Sequence, residues 1–207
     1  MRDPERSPEP IPQKRSCAPA LRWRAPALAI LLLLVTACNA KLAIAQSSGP
    51  SQFDVQAVYL FDFAKFVRWP AGSETGPIVL CVAAESGYTE NLKKIIAGER
   101  IDNRALVVQP VQRPADEAGC HILFIGAAAK DRLDSLLTAT AGHSTLTVSD
   151  VPGFLDHGGM INFLVIDNRV RFSIDLRPVQ RSGISLSSEL LKVAVRVKDA
   201  PPGGGAL

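Results

Sequence analysis

Few side chains in this sequence carry chemistry at a spacing that a reaction needs. Cys120 and His121 are a thiol and a base, but adjacent residues of a strand point to opposite faces. They are therefore excluded as a nucleophile–base pair. Asp150, Asp156 and His157 can meet in the loop before Gly158-Gly159 as a metal or acid–base site, and a hydrolase using Asp156 and His157 would follow from it. Turn formation explains the same letters. His143 falls in a turn at Gly142, where exposure is the simplest account. Gly158-Gly159 lacks the spacing and the strand-to-helix setting of a dinucleotide site, and fits unusual backbone angles at the entry of a hairpin. Arg169 and Arg171 alternate along a strand, so they share a face and can hold one anion, or simply form a solvated strand face. No enzyme constellation emerges, and neither a cofactor nor a metal is expected.

The elements that position these residues can be read from hydrophobic period. Residues 53–70 are the first stretch able to fold into a core, holding Trp69 and four of the eight phenylalanines. At 100° per residue, Val55, Tyr59, Leu60, Phe63, Ala64, Phe66 and Val67 form one stripe, with Asp54, Asp62, Lys65 and Arg68 opposite. An amphipathic helix ended by Pro70 is predicted. Phe61 breaks the pattern, projecting between Arg68 and Asp54, so an exposed or partner-covered position is expected for it, with packing under a neighbouring element or a dimer mate as the alternative. With Lys65, Arg68 and Trp69 it forms the candidate partner-binding set, because aromatics and arginines are the usual interface anchors.

Further along, residues 77–84 form a continuous apolar run that suits a strand buried on both faces. A helix over 88–97, a strand over 104–110, a second apolar strand over 120–126, a helix over 130–141 and a strand over 144–150 follow. This order implies parallel crossovers and an α/β layered core. Residues 160–166 and 169–176 flank Asp167-Asn168, which marks a hairpin with a primed turn. Val170, Phe172, Ile174 and Leu176 alternate there with Arg169, Arg171, Ser173 and Asp175, which predicts one polar strand face. A last helix near 187–197 packs Leu190, Leu191, Ala194 and Val195 inward. The expected fold is a mixed sheet of about five to six strands flanked by helices, with a C-terminal hairpin followed by a helix.

The N-terminus changes what the composition means. Arg2, Arg6, Lys14, Arg15, Arg22 and Arg24 precede an apolar run over 25–37, too short to span a membrane in the mature protein. This pattern reads as a secretory signal peptide over residues 1–45. Cleavage after Ala45 competes with a lipobox at Val35-Thr36-Ala37-Cys38, which would lipidate Cys38. From Gln46 onward 16 Lys/Arg face 17 Asp/Glu, a net charge of −1, so no nucleic-acid footprint survives. Residues 46–52 read as a leader, 53–198 as a single domain and 199–207 as a disordered tail. Of four cysteines, only Cys81 and Cys120 remain clear of the signal, 39 positions apart in an oxidising compartment. A disulfide is predicted, with two buried thiols as the alternative. Closing that loop stabilises by roughly 4 kcal/mol in the chain-entropy model.

Taken together, the chain resembles the YfiR-like family of exported bacterial proteins. The resemblance rests on residues 57–70 ending in Phe66-Val67-Arg68-Trp69-Pro70, on Leu80-Cys81-Val82 and on residues 120–125. Residues 146–150, Gly153-Phe154, 158–163, 169–172 and 183–191 continue it in order, across nearly all of the mature chain. It implies a periplasmic repressor that binds the periplasmic sensor domain of an inner-membrane diguanylate cyclase and holds cyclic-di-GMP low. It also implies relief by an outer-membrane lipoprotein, a mixed sheet flanked by helices, and a homodimer. Cys81 and Cys120 match a family disulfide. Relatives with a second pair place it near 155–162, where this sequence departs with Leu155 and Asn162. A small-ligand binder whose pocket includes Arg169 and Arg171 is the other expectation.

Overall fold

A computed structural model describes residues 50–72, 75–117 and 119–198, all within one unit, Gly49–Leu207. The expected signal peptide, Cys38 and the expected tail lie outside the described residues.

Helix α1 spans Gln52–Phe66 and begins on a capping box. The Asp54 N–H donates to Ser51 Oγ at 3.2 Å, and the Ser51 N–H donates to Asp54 Oδ2 at 2.7 Å, satisfying two helix-end donors reciprocally. The Asn91 amide also donates to Asp54 Oδ1 at 2.6 Å, and these bonds, those of Ser51 foremost, hold the Asp54 carboxyl below the ordinary range. The helix stops at Phe66, four residues before Pro70, because Val67–Arg68 becomes strand β1 and pairs antiparallel with β9, Ser185–Leu186. Its inner face buries Ala57, Leu60, Phe63 and Ala64. Fully burying a side chain such as Leu60 or Phe63 contributes about 1.5–3 kcal/mol.

The main sheet contains β2 (Ile78–Ala83), β3 (Arg100–Ile101), β4 (Arg104–Pro110), β5 (Ile122–Ile125), β6 (Leu146–Ser149), β7 (Ile161–Ile166), β8 (Arg169–Asp175) and β10 (Arg196–Lys198). Their order is β10-β8-β7-β6-β5-β2-β4-β3. The expected α/β architecture holds, and the described sheet has eight strands rather than five to six. The strands β4, β2, β5, β6 and β7 run parallel, whereas β7–β8 and β3–β4 are antiparallel hairpins. Both hairpins turn on the same dipeptide. Asp102-Asn103 and Asp167-Asn168 all have positive φ, between 49° and 63°, as a primed two-residue turn requires.

Alternate residues of the parallel strands serve two cores. Leu80, Val82, Ile122, Phe124, Leu146 and Val148 face α1 and α2, Ser86–Ile95. On the other side Cys81, Ala83, Leu123 and Ile125 face a 3-10 helix at Ala127–Arg132 and α3, Leu133–Thr140. This is a layered α/β/α arrangement, with the apolar runs of β2 and β5 in its middle.

Departures from the expected elements cluster near the C-terminus. A short helix α4, Leu176–Arg181, follows β8, capped by Asp175. The last helix, α5, covers only Ser188–Val193, and β10 then adds parallel to β8. Val195 is accordingly exposed rather than packed inward. The polar face expected along β8 exists only near its start, because Ser173 and Asp175 are buried.

Candidate functional site

The predicted partner-binding residues divide between surface and core. Phe61 is half-buried, packed against the main core, and the Lys65 ammonium lies 3.8 Å above its ring centroid. Lys65 also pairs with Asp62 at 3.0 Å. Phe61 therefore has neighbours within the monomer and keeps part of its ring exposed. Arg68 projects into solvent with 78% of its side chain exposed and lies 3.9 Å from Asp102. Trp69 turns inward, edge-on to His121 at 5.3 Å, with its indole nitrogen buried and without a hydrogen-bond partner among the described residues.

Cys81 and Cys120 are disulfide-bonded, with their Cα atoms 5.8 Å apart. The bond joins the middle of β2 to the entry of β5 beneath α3. His121, next in sequence, takes a structural place: its Nδ1 accepts the Val79 N–H at 3.2 Å, and the Arg104 guanidinium lies 2.9 Å from Nε2. At the second family cysteine position, buried Asn162 donates its amide to the carbonyls of Ser149 and Val151, at 2.9 and 3.0 Å. Leu155 borders the same groove as Asn162. A hydrogen-bond clamp thus occupies this region.

The acid–base cluster does not assemble. His157 Nδ1 contacts Asp134 at 2.8 Å, Asp156 pairs with Lys198 at 2.8 Å, and Asp150 lies elsewhere. Among the described residues no group of three His, Cys, Asp or Glu side chains can hold a metal. Arg169 and Arg171 do share a groove of about 450 Å³ with Gln52, Val55 and Tyr59 of α1. Neither forms an ion pair within the described residues.

One further site was not anticipated from sequence. After β2 the chain crosses through α2 to β4 on one side, then returns to β5 on the other. The carboxyl ends of β2 and β5 therefore diverge at a topological switch point, where open α/β sheets bind ligands. A cavity of about 130 Å³ opens there, bounded by Ala84 and Glu85 after β2, Gly126 and Ala127 after β5, and Asp150 after β6. Gly126 is required by close approach, since a Cβ there would come within 2.8 Å of the Ala84 Cβ. Phe53, Tyr88 and Phe124 supply aromatic walls, with Tyr88 stacked on Phe124 at 4.4 Å.

Two polar atoms at this cavity, the Tyr88 hydroxyl and Asp150 Oδ1, have no hydrogen-bond partner among the described residues, and the buried Gln56 amide lies behind the lining beside Asp150. Each such group costs about 1–3 kcal/mol when nothing satisfies it. Burial pushes the Asp150 carboxyl up, against the Gln56 amide and the Ala127 N–H, which favour its charged form. Burial and then the facing Asp150 carboxylate push the Tyr88 phenol up. The signal available in the sequence was Gln56 itself, which shares the buried register of Leu60, Phe63 and Val67 at i, i+4, i+7 and i+11.

A crystal structure of a conserved domain protein from Vibrio cholerae O1 biovar El Tor str. N16961 has a similar fold, with a TM-score of 0.51 and 11% sequence identity. The similarity covers 72% of this chain and 60% of that one, so the chain spans less than two thirds of that protein's length. Among the described residues no helix is long and apolar enough to cross a membrane. The family model described as YfiR/HmsC-like matches residues 53–195. The chain belongs to the YfiR/HmsC-like family.

Proposed function

We propose that this protein represses an inner-membrane diguanylate cyclase by binding its periplasmic sensor domain, and so lowers cyclic-di-GMP. Family membership across residues 53–195 is the observation that carries this reading. The end of α1 and the start of β1 support it with a surface suited to a partner: Phe61 under Lys65, and Arg68 exposed in β1. Trp69 supports this corner from within, packed on His121. Export by the N-terminal segment over 1–45, a single domain over 53–198, a homodimer and release by an outer-membrane lipoprotein complete the proposal.

The test is calorimetric titration of the exported protein with the sensor domain of a cyclase encoded beside it, together with cyclic-di-GMP measured in cells. Phe61→Glu combined with Arg68→Glu is expected to weaken binding about tenfold to a hundredfold and to raise cyclic-di-GMP. Unchanged affinity and output from a stably folded double variant would remove this surface from the account.

The groove shared by Arg169 and Arg171 favours a second reading, a small anionic ligand held between two guanidinium groups that form no ion pair among the described residues. Calorimetry against anionic periplasmic metabolites and nucleotides tests it, and flat traces for all of them would reject it.

A further inference from the structure

We propose that the cavity at the carboxyl ends of β2 and β5 binds a small organic ammonium compound, an amine on a compact apolar or aromatic body. The inference is independent of the partner reading above, because it concerns a different part of the molecule.

Three observations carry it. The first is position: the cavity lies at the switch point of a parallel sheet, where the strand ends diverge and leave a crevice. The second is the set of unpartnered polar atoms. Tyr88 is 96% buried by its 4% exposure and lines the cavity with no partner for its hydroxyl, and Asp150 presents Oδ1 in the same condition. The fully buried Gln56 amide lies beside Asp150, behind the lining. Buried polar groups are normally hydrogen-bonded, so this cluster calls for a ligand group that can donate to several acceptors at once. An ammonium does so, with three N–H donors and no acceptor.

The third is charge and wall chemistry. Both ionisable carboxyl groups of the lining, Glu85 and Asp150, are acidic, and no Lys, Arg or His lines the cavity among the described residues. That lining disfavours phosphate and carboxylate ligands, although a helix begins nearby. Aromatic walls attract a cation through their electron-rich faces, and Phe53, Tyr88 and Phe124 provide them. The small residues Ala84, Gly126 and Ala127 leave space for a compact body beside them. Phe53 belongs to α1, so occupancy bears directly on the helix that carries Phe61 and Lys65.

The test uses three matched probes, benzylamine, benzyl alcohol and benzoate, which place a cation, a neutral group and an anion on the same ring. Saturation-transfer NMR and a competition titration of the full exported chain read their binding. Benzylamine is expected to bind, benzoate not to bind, and benzyl alcohol to bind at least about tenfold more weakly than the amine. Asp150→Asn, which keeps the side-chain shape, is expected to weaken benzylamine at least about tenfold. Ala128→Leu, at an exposed position of the cavity rim, is expected to abolish binding while leaving the melting temperature unchanged. No binding by any probe, benzoate binding as well as benzylamine, or amine binding indifferent to both substitutions would each overturn the proposal.

Discussion

Two aspartates, Asp175 buried and Asp150 half-buried, respond oppositely to their surroundings. Asp175 caps α4 and holds the Arg177 guanidinium and its backbone N–H. Burial pushes its carboxyl up, but the Arg177 hydrogen bonds and charge outweigh burial and hold it below the ordinary value. Its folded pKa is thus below its unfolded one, so its contribution is present above the usual carboxylate range and is lost as pH falls through the folded value. Asp175→Ala is expected to cost about 2 kcal/mol at pH 7, through the lost cap and the charged hydrogen bonds. Urea unfolding should show that difference shrinking at pH 2 to 3. Asp150 has the reverse sign. Its folded pKa is raised, so its contribution is present below the unfolded pKa and is lost as pH rises through the folded one. Asp150→Asn is therefore expected to raise the urea midpoint at pH 7 and to leave it unchanged near pH 3. A lower midpoint at pH 7 would mean that the carboxylate is better paired than its contacts indicate.

Among the elements, the segment between β6 and β7 depends on one close contact. Phe154 is fully buried, and a Cβ at Gly159 would lie 2.2 Å from its ring. The pair Gly158-Gly159 therefore serves packing, and only Gly158 of the two has positive φ, at 90°. Gly159→Ala is expected to destabilise by about 1–3 kcal/mol, the usual cost of overpacking a closed site. Gly159→Ala combined with Phe154→Leu should recover part of that loss in thermal unfolding, because the clash is with the ring. No recovery would place the cost in the backbone instead. The hairpin at Asp167-Asn168 is a gentler test. Asn168→Val places a β-branched residue at φ 56°, and is expected to cost about 1–2 kcal/mol.

For the whole molecule, the Cys81–Cys120 bond ties two neighbouring central strands across a separation of 39 residues. Replacing both cysteines by alanine is expected to lower stability by roughly 4 kcal/mol, with a lowered melting temperature that reductant no longer changes. Reductant should move the native protein toward the same temperature. With Leu155 and Asn162 at the other family cysteine region, one redox step is expected in thiol titration of unfolded protein.

The sequence by itself determined the layered α/β class, the two apolar central strands, the primed turn at Asp167-Asn168 and the pairing of Cys81 with Cys120. Each of these depends on residue period, on a dipeptide or on a count of cysteines, which are local or compositional quantities. It also carried the family, through motifs spread along residues 53–195. Only the tertiary structure decided the rest. Whether Val67-Arg68 continues a helix or starts a strand depends on β9, more than a hundred residues later. Val195 and its neighbours leave the helical pattern because the edge of β8 is open to a parallel partner. The scattering of Asp150, Asp156 and His157 follows from which strand end or side chain each one meets, which proximity along the chain does not encode. The cavity beside Tyr88 and Asp150 was the least legible feature, because it is made by two strands diverging at a crossover. Its one mark in the sequence was Gln56, a polar residue in the apolar stripe of α1, placed where only a buried partner or ligand gives it a role.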